Sequence, residues 1–226
     1  MDSEIDSLYA EVERLLNEET VSDDRDVKRS LVLDAISKAR QLSRRCPDDP
    51  DFVHLLGLAW YHHPDKSKER SAAIRDALRR ALDIDPHHQF ANQYLGYINF
   101  DEADYDTALK HFRNTDHEFF ISIHQKWRSL KAIELTFVCE LRLGRAVDLA
   151  ALQDFFDDYQ TEERADVPNT VVTLELRRCA EWLFEQSGDV YEAPLKAIVA
   201  FLDAVGDLAR SDHSEFKAAC SRRPSD

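Results

Sequence analysis

The sequence predicts an all-α fold built from antiparallel helical hairpins, and three of its properties favour this class. Only 5 of its 226 residues are glycine, too few for the turns of a many-stranded sheet. Apolar residues recur at three- and four-residue steps, as on one face of an α-helix, and no segment alternates long enough to be a half-buried strand. The hydrophobic fraction of 43% is sufficient for a folded core.

The helices can be assigned in order along the chain. The first carries Ile5, Leu8 and Val12 on one face and begins near an N-cap at Asp2 or Ser3. The second begins after the Ser22-Asp23-Asp24 cluster and ends at Cys46-Pro47, because the residue before a proline disfavours helix. Short connections predict that consecutive helices pack antiparallel. The further helices are expected at 50–63, 68–84, 88–100, 104–114, 118–143, 147–160, 169–187, 190–209 and 213–222.

The last long helix, expected at 190–209, is apolar nearly all round. Such a helix has to be covered on more than one side. Either the preceding helix covers it within the chain, or a second copy of the chain does. We expect coverage within the chain, and hence slightly favour a monomer over a homodimer. Its apolar residues are Leu195, Ile198, Val199, Phe201, Leu202, Val205 and Leu208.

The charge balance excludes two classes of partner. Lys and Arg number 29 against 44 Asp and Glu, so the formal net charge is −15. A surface for nucleic acid or for an anionic membrane needs clustered cations. We therefore expect neither nucleic acid nor membrane as a partner.

Several features predict a cytoplasmic location. The longest apolar run, 197–202, is far shorter than the roughly 18 to 20 residues of a membrane span. The N-terminus, Met-Asp-Ser-Glu-Ile-Asp, is acidic where a secretory signal is basic and then apolar. The cysteines are far apart without a Cys-x-x-Cys pair, so reduced thiols are expected. They are Cys46, Cys139, Cys179 and Cys220.

Sequence motifs for catalysis and metal binding are absent. No two histidines have the four-residue spacing that zinc-binding helices use, and His117 and His124 lie two turns apart on one expected helix. Acidic clusters such as Asp154, Asp157 and Asp158 are typical of solvated helix faces. There is no phosphate-binding loop, nucleophile elbow or dinucleotide fingerprint. We therefore expect no enzyme activity, no metal and no cofactor.

The most informative feature of the chain is an internal repeat. Leu56-Gly57 follows Pro47 by nine and ten residues, and Leu95-Gly96 follows Pro86 at the same distances, so the unit recurs with a spacing of 39. A glycine inside a helix costs about 0.5 to 1 kcal/mol relative to alanine. Two glycines at matching positions therefore predict close approach of a neighbouring helix backbone at each of them.

The repeated segments around Gly57 and Gly96 resemble the units of the tetratricopeptide repeat family, each of which is a pair of antiparallel helices of 34 residues. The clearest unit runs from Asn92 to Phe112, and the unit from Val53 to Pro86 is similar apart from about five extra residues at 63–67. A weaker third unit is expected at Phe137–Tyr159, with Gly144 in its turn. The matching residues are Leu56, Gly57, Trp60, Leu78, Ala81 and Pro86 in one unit and Leu95, Gly96, Tyr105, Ala108 and Phe112 in the other.

The resemblance implies a short α-solenoid of stacked hairpins with helical caps at both ends. We expect N-terminal capping helices in residues 1–46, repeats in 47–160 and a C-terminal helical cap in 161–226, with the polar stretch 161–169 at the boundary. In this family the first helix of each unit lines a concave groove that holds a peptide. The resemblance thus implies a protein or peptide partner, bound by His54, Leu58, Tyr61, His62, Phe90, Gln93, Tyr97, Phe100, Lys131 and Glu134.

Other interpretations remain open at the level of sequence. Tyr61, Tyr97 and Phe100 also suit core packing. Residues 1–26 hold ten acidic and two basic side chains, which is compatible with an inhibitor, an immunity factor or a secretion-type chaperone that caps a basic partner. The cations at 126–145 either form surface salt bridges to the acidic N-terminal helices or present an anion or peptide site. A helical enzyme is the least favoured alternative.

Overall fold

The computed structural model describes residues 3–161, 169–186 and 188–221, and within these ranges every regular element is helical. The expected all-α class is confirmed. The helices are α1 (Ser3–Val21), α2 (Arg25–Arg45), α3 (Pro50–Tyr61), α4 (Lys68–Ile84), α5 (Gln89–Asp101), α6 (Tyr105–Arg113), α7 (His117–Ser122), α8 (Lys126–Arg142), α9 (Leu149–Thr161), α10 (Asn169–Glu185), α11 (Asp189–Ala204) and α12 (Ser214–Ser221), with a 3-10 turn at Leu208–Arg210.

The chain divides into two compact units, Met1–Leu95 and Gly96–Asp226, so that the dividing point lies inside α5. The polar stretch expected at 161–169 lies for most of its length outside the described residues. No helix in the described ranges is long and apolar enough to cross a membrane.

Unit 1, residues 1–95, packs its helices in sequence order. α1 packs against α2, α2 against α3 and α3 against α4. The side chains of Asp24 and Asp49 accept the first backbone N–H groups of α2 and α3, which otherwise lack partners. The apolar stripes of the first three helices meet in one core, which includes Val12, Leu15, Ile36, Leu42, Phe52 and Leu55.

Gly57 allows α3 and α4 to approach closely. A Cβ atom at this position would lie 2.9 Å from Cδ2 of Leu78 and 3.4 Å from Cβ of Ala77. The prediction of a close helix contact at Gly57 is therefore confirmed, with one correction. The groups that approach are side chains of α4 and not its backbone.

Unit 2, residues 96–226, packs consecutive helices and also helices that are not neighbours in the chain. α8 packs against α6, α7, α9 and α10, and α11 packs against α9 and α10. The apolar α11 is covered within the chain, as expected, since the ring of Phe201 stacks on Phe156 with centroids 4.2 Å apart and also meets Tyr159. Ile198 and Leu202 are completely buried.

The prediction of a single helix at 118–143 is wrong, because the structure has two helices there, α7 and α8. His124, with φ of 58°, lies in the left-handed region. The N–H of His124 donates to the carbonyl of Ile121, and the N–H of Gln125 donates to that of Phe120 at 2.8 Å. This is the hydrogen-bond pattern of a Schellman helix end. His117 and His124 therefore do not share a helix.

The helix expected at 190–209 is also shorter than predicted. α11 ends at Ala204, and Gly206 adopts a φ of 73°. The N–H of Asp207 donates to the carbonyl of Leu202 at 2.9 Å, which closes a second Schellman end. Gly206 is a helix-terminating residue in the sequence, so this end of α11 could have been predicted.

Candidate functional site

The clearest candidate site in unit 1 is an aromatic face formed by α3 and the start of α5. The rings of His54 and Phe90 stack with centroids 5.5 Å apart, and Tyr61 meets Tyr94 edge-on at 5.0 Å. Leu58 lies one turn after His54 on α3. We call this set of five residues the aromatic face.

The aromatic face has a buried base and a partly exposed surface. Leu58, Tyr61 and Phe90 are half-buried, whereas His54 and Tyr94 are buried beneath them. The guanidinium of Arg70 lies 5.6 Å from the centroid of the Tyr61 ring and also donates to the carbonyl of Trp60. Arg70, on α4, thus fixes the ring of Tyr61. The half-buried part of the aromatic face is therefore a preformed apolar surface.

His88 supports the aromatic face from below. Its Nδ1 accepts the N–H of Ala91 at 3.1 Å, so the proton of the neutral ring is on Nε2, which donates to Oδ1 of Asp51 at 3.0 Å. This hydrogen bond lowers the pKa of the Asp51 carboxyl below its ordinary value. The ring of His88 lies 5.0 Å from that of His54.

The sequence assigned no role to His88, Asp51 or Tyr94. Tyr94 follows Phe90 by four residues, and this helical spacing was a usable signal. His88 was expected as the first residue of the helix at 88–100, and the structure places it directly before α5. Its contact with Asp51 joins residues 37 positions apart, which no local pattern predicts.

Two other predicted site residues of unit 1 have internal partners or lie in the interior. Gln93 is completely buried. His62 is the C-cap residue that directly follows α3. Its Nδ1 lies 2.8 Å from Oε2 of Glu19, a buried residue of α1. Glu19 also pairs with Lys28 at 3.7 Å. His62 thus ties α3 to α1.

The predicted site residues of unit 2 form two separate groups. Tyr97 and Phe100 are half-buried, the first against Phe112 with ring centroids 5.7 Å apart and the second edge-on against Tyr105 at 5.6 Å. Lys131 and Glu134 lie on α8, away from this aromatic pair in sequence. Both aromatic rings have packing partners within unit 2, as the core interpretation also expects.

Glu134 is a fully buried carboxylate that joins α8 to α10. Its Oε2 accepts from Nζ of Lys131 at 2.6 Å, and its Oε1 accepts the backbone N–H of Leu176 at 2.9 Å. Burial raises the pKa of Glu134 to about 7, although Lys131 and the Leu176 N–H act in the opposite direction. The hydrogen bond from the Leu176 N–H to Glu134 thus joins α8 to α10, and Lys131 neutralises the carboxylate from within α8.

Three of the cations at 126–145, for which the sequence left salt bridges or an anion or peptide site open, have partners inside unit 2. Arg145 pairs with Asp106 at 2.7 Å, and the guanidinium of Arg142 lies 4.3 Å from the ring of Trp182. Lys126 pairs with Asp158 at 3.1 Å. These contacts fix the ends of α8.

The acidic side chains of α1 pair extensively with α2. Glu11 lies 2.9 Å from Nζ of Lys38, and Glu4 lies 2.9 Å from Arg45. Part of the acidic charge of the N-terminal helix is therefore neutralised inside unit 1.

Metal-binding and reactive groups are sparse in the described residues. No group of three or more His, Cys, Asp or Glu side chains that could hold a metal ion occurs in these ranges. The four cysteines all belong to the described part of the chain, and none forms a disulfide. Burial raises the pKa of the Cys139 and Cys179 thiols to about 12, which makes both unreactive at neutral pH.

Comparison with known proteins provides no functional information. No family model, curated protein or solved structure matches the chain.

Proposed function

We propose that the chain is a tetratricopeptide-like module that binds a segment of another protein and catalyses no reaction. The single observation that carries the proposal is the aromatic face, a preformed and partly exposed surface on α3 and α5. These two helices would be the first helices of consecutive repeat units. Their facing residues are those that line the groove in this family.

The recurring glycine contacts support the repeat. Gly57 packs against Leu78, and Gly96 packs in the same way against the ring of Phe112, where a Cβ atom would come closer than 3.0 Å to three ring atoms. Leu78 and Phe112 are 34 residues apart, which is the repeat length of the family. The spacing of 39 between the glycines contains the extra residues of the turn at 63–67.

The aromatic face would bind through apolar anchors. Tyr and Phe side chains bury a large area for a small loss of side-chain entropy, and they dominate many interfaces. Tyr61 is fixed by Arg70 and Tyr94, and Phe90 by His54. A peptide therefore meets rings that are already ordered, which reduces the entropic cost of binding.

A peptide library displayed on phage tests this proposal with the intact chain. The library is selected against the wild type, and each enriched peptide is measured against Tyr61→Ala/Phe90→Ala. The control is Val27→Ala/Leu33→Ala, which removes apolar side chains that are 46% and 48% exposed on α2. Circular dichroism and thermal melting establish that each variant is folded.

We expect the aromatic variant to lose at least about tenfold in affinity, which corresponds to about 1.4 kcal/mol, while the control binds like the wild type. Enriched peptides that bind the folded aromatic variant as tightly as the wild type would place the interface elsewhere. A library that yields no peptide above the background of the aromatic variant would also contradict the proposal.

A further inference from the structure

A second surface with the form of a binding groove lies within unit 2, between α8 and α9. The two helices border a shallow hollow of about 580 Å³ that is largely open to solvent. This volume is within the range of about 300 to 1,000 Å³ that is usual for ligand pockets. Its lining residues are Ile133, Phe137, Ala151, Asp154, Phe155, Asp157 and Asp158. We call this the α8–α9 groove.

The floor of the α8–α9 groove is apolar and firmly held. Ile133 and Phe137 are four residues apart on α8, and Ala151 and Phe155 are four residues apart on α9, so each helix contributes one pair of neighbours. The rings of Phe137 and Phe155 lie 6.1 Å apart, and Phe155 also packs on Phe201. Both are core residues of unit 2. The floor is thus the outer edge of the core.

The rim of the groove is acidic. Asp154, Asp157 and Asp158 lie within about one turn of α9, roughly 6 Å along the axis, and all three are exposed. Asp158 pairs with Lys126 and Asp157 accepts from Gln153 at 2.8 Å. In the part of the chain that the structure describes, Asp154 forms no ion pair. The rim therefore carries an excess of negative charge beside an apolar floor.

We propose that the α8–α9 groove binds a basic amphipathic helix of a partner protein. The apolar side chains of this helix fill the hollow, and its Lys or Arg side chains contact Asp154 and Asp157. Such a helix presents apolar residues at three- and four-residue steps, which match the paired floor residues of α8 and α9. A neutral ligand would leave the carboxylates without counter-charges, and an acidic helix would be repelled.

This groove differs from the aromatic face in residues and in chemistry. The aromatic face consists of rings in unit 1, whereas the groove combines apolar and acidic side chains of unit 2. Binding at one does not require binding at the other, so the two proposals fail separately.

Fluorescence anisotropy with a defined probe tests the α8–α9 groove in the full chain. The probe is a labelled amphipathic peptide made of Leu and Lys at helical spacing, and the matched probe has Glu in place of every Lys. Ala151→Trp fills the hollow without removing any core contact, because Ala151 is exposed. Its control is Ala150→Trp, at an exposed neighbour that does not line the hollow.

A second pair of variants tests the charge. Asp154→Asn/Asp157→Asn removes two rim carboxylates and keeps their shape. Asp76→Asn/Asp83→Asn removes the same charge from exposed positions of α4. The second pair controls for general attraction of a basic peptide to an acidic protein.

We expect Ala151→Trp and the rim variant each to weaken binding of the Lys probe by at least about tenfold, or about 1.4 kcal/mol. Both controls should stay within about twofold of the wild type, and the Glu probe should not bind. Equal affinity of the wild type and folded Ala151→Trp would overturn the proposal. So would a loss of affinity in Asp76→Asn/Asp83→Asn as large as in the rim variant.

Discussion

The two units end their helices in different ways. In unit 1, α2, α3 and α4 each end two or three residues before a proline, at Pro47, Pro64 and Pro86. In unit 2, α5, α7, α8 and α11 end on a residue with positive φ and a Schellman pair of hydrogen bonds. These residues are Ala103, His124, Gly144 and Gly206.

The units also differ in which helices pack together and in the partners of their buried carboxylates. Unit 1 packs mainly consecutive helices, and its buried Glu19 pairs with Lys28 and His62, which both keep part of their surface in water. Unit 2 packs α8 on α10 and α6 on α8, and it buries Glu134 and Asp207. Partners distant in the chain therefore hold unit 2 together, and we expect single substitutions there to have the larger effects.

The largest difference is expected between the buried carboxylates Glu134 and Glu19. Glu134→Ala leaves the Leu176 N–H without its acceptor and Lys131 without its counter-charge, which costs about 3 to 5 kcal/mol of unfolding free energy. Glu19→Ala should cost about 1 to 2 kcal/mol, because Lys28 keeps access to water. Urea unfolding, monitored by amide hydrogen exchange in each unit, measures the loss of unfolding free energy in both variants. Equal losses would show that burial of Glu134 carries no special weight.

The second prediction concerns pH, and its sign differs between the units. The pKa of Glu134 is raised to about 7 from an ordinary 4.5, so the folded state binds the proton more tightly than the unfolded chain. This contribution stabilises unit 2 as the pH falls through about 7 and is lost as the pH rises, by up to about 3 kcal/mol. The pKa of Asp51 is lowered by His88, so its contribution to unit 1 is lost only as the pH falls below its ordinary 3.8.

Hydrogen exchange between about pH 8 and pH 5 separates these two behaviours, once the intrinsic exchange rates are corrected. Unit 2 should gain protection toward pH 5 through Glu134, and Glu134→Gln should abolish this gain because the amide does not titrate. A gain that persists in Glu134→Gln would assign the pH dependence to other groups.

The third prediction compares the matched glycines. Gly96→Ala should destabilise unit 2 by about 1 to 2 kcal/mol, because its methyl group would collide with the rigid ring of Phe112. Gly57→Ala should be nearly neutral, since the flexible end of Leu78 can move and alanine favours the helix by about 0.5 to 1 kcal/mol. Thermal melting of both variants gives the comparison. A larger loss for Gly57→Ala would mean that α3 and α4 cannot adjust.

The smallest expected effects concern the helix ends. His124→Gly should stabilise unit 2 by about 0.5 to 1 kcal/mol, because glycine adopts the positive φ of this position without strain. Asp85→Gly, at the end of α4 where φ is −129°, should destabilise unit 1 by at least a similar amount. It raises the entropy of the unfolded chain and removes the Asp85 carboxylate that accepts the N–H of His87 at 2.9 Å. Denaturant midpoints resolve both changes. Stabilisation of both variants would remove the distinction between the two kinds of helix end.

The helical class and most of the helix positions could be predicted from the sequence. Apolar residues at three- and four-residue steps specify a helix locally, and Asp24, Pro47 and Pro86 mark its ends through backbone chemistry. The spacing of Gly57 and Gly96 also predicted two close helix contacts, and both occur. For the aromatic face, the sequence singled out His54, Tyr61 and Phe90, which the structure brings together.

Two kinds of feature could not be predicted from the sequence: helix ends that lack a glycine or proline, and the burial of particular polar side chains. Ala103 and His124 adopt positive φ although neither is glycine, at a local cost of about 1 to 2 kcal/mol each. At His124, the complete burial of the nearby Phe120 offsets this cost. The burial of Glu134, the contact of His88 with Asp51 and the α8–α9 groove all depend on partners far away in the chain. Local propensity contains no information about such partners, since they meet only when separate helices pack.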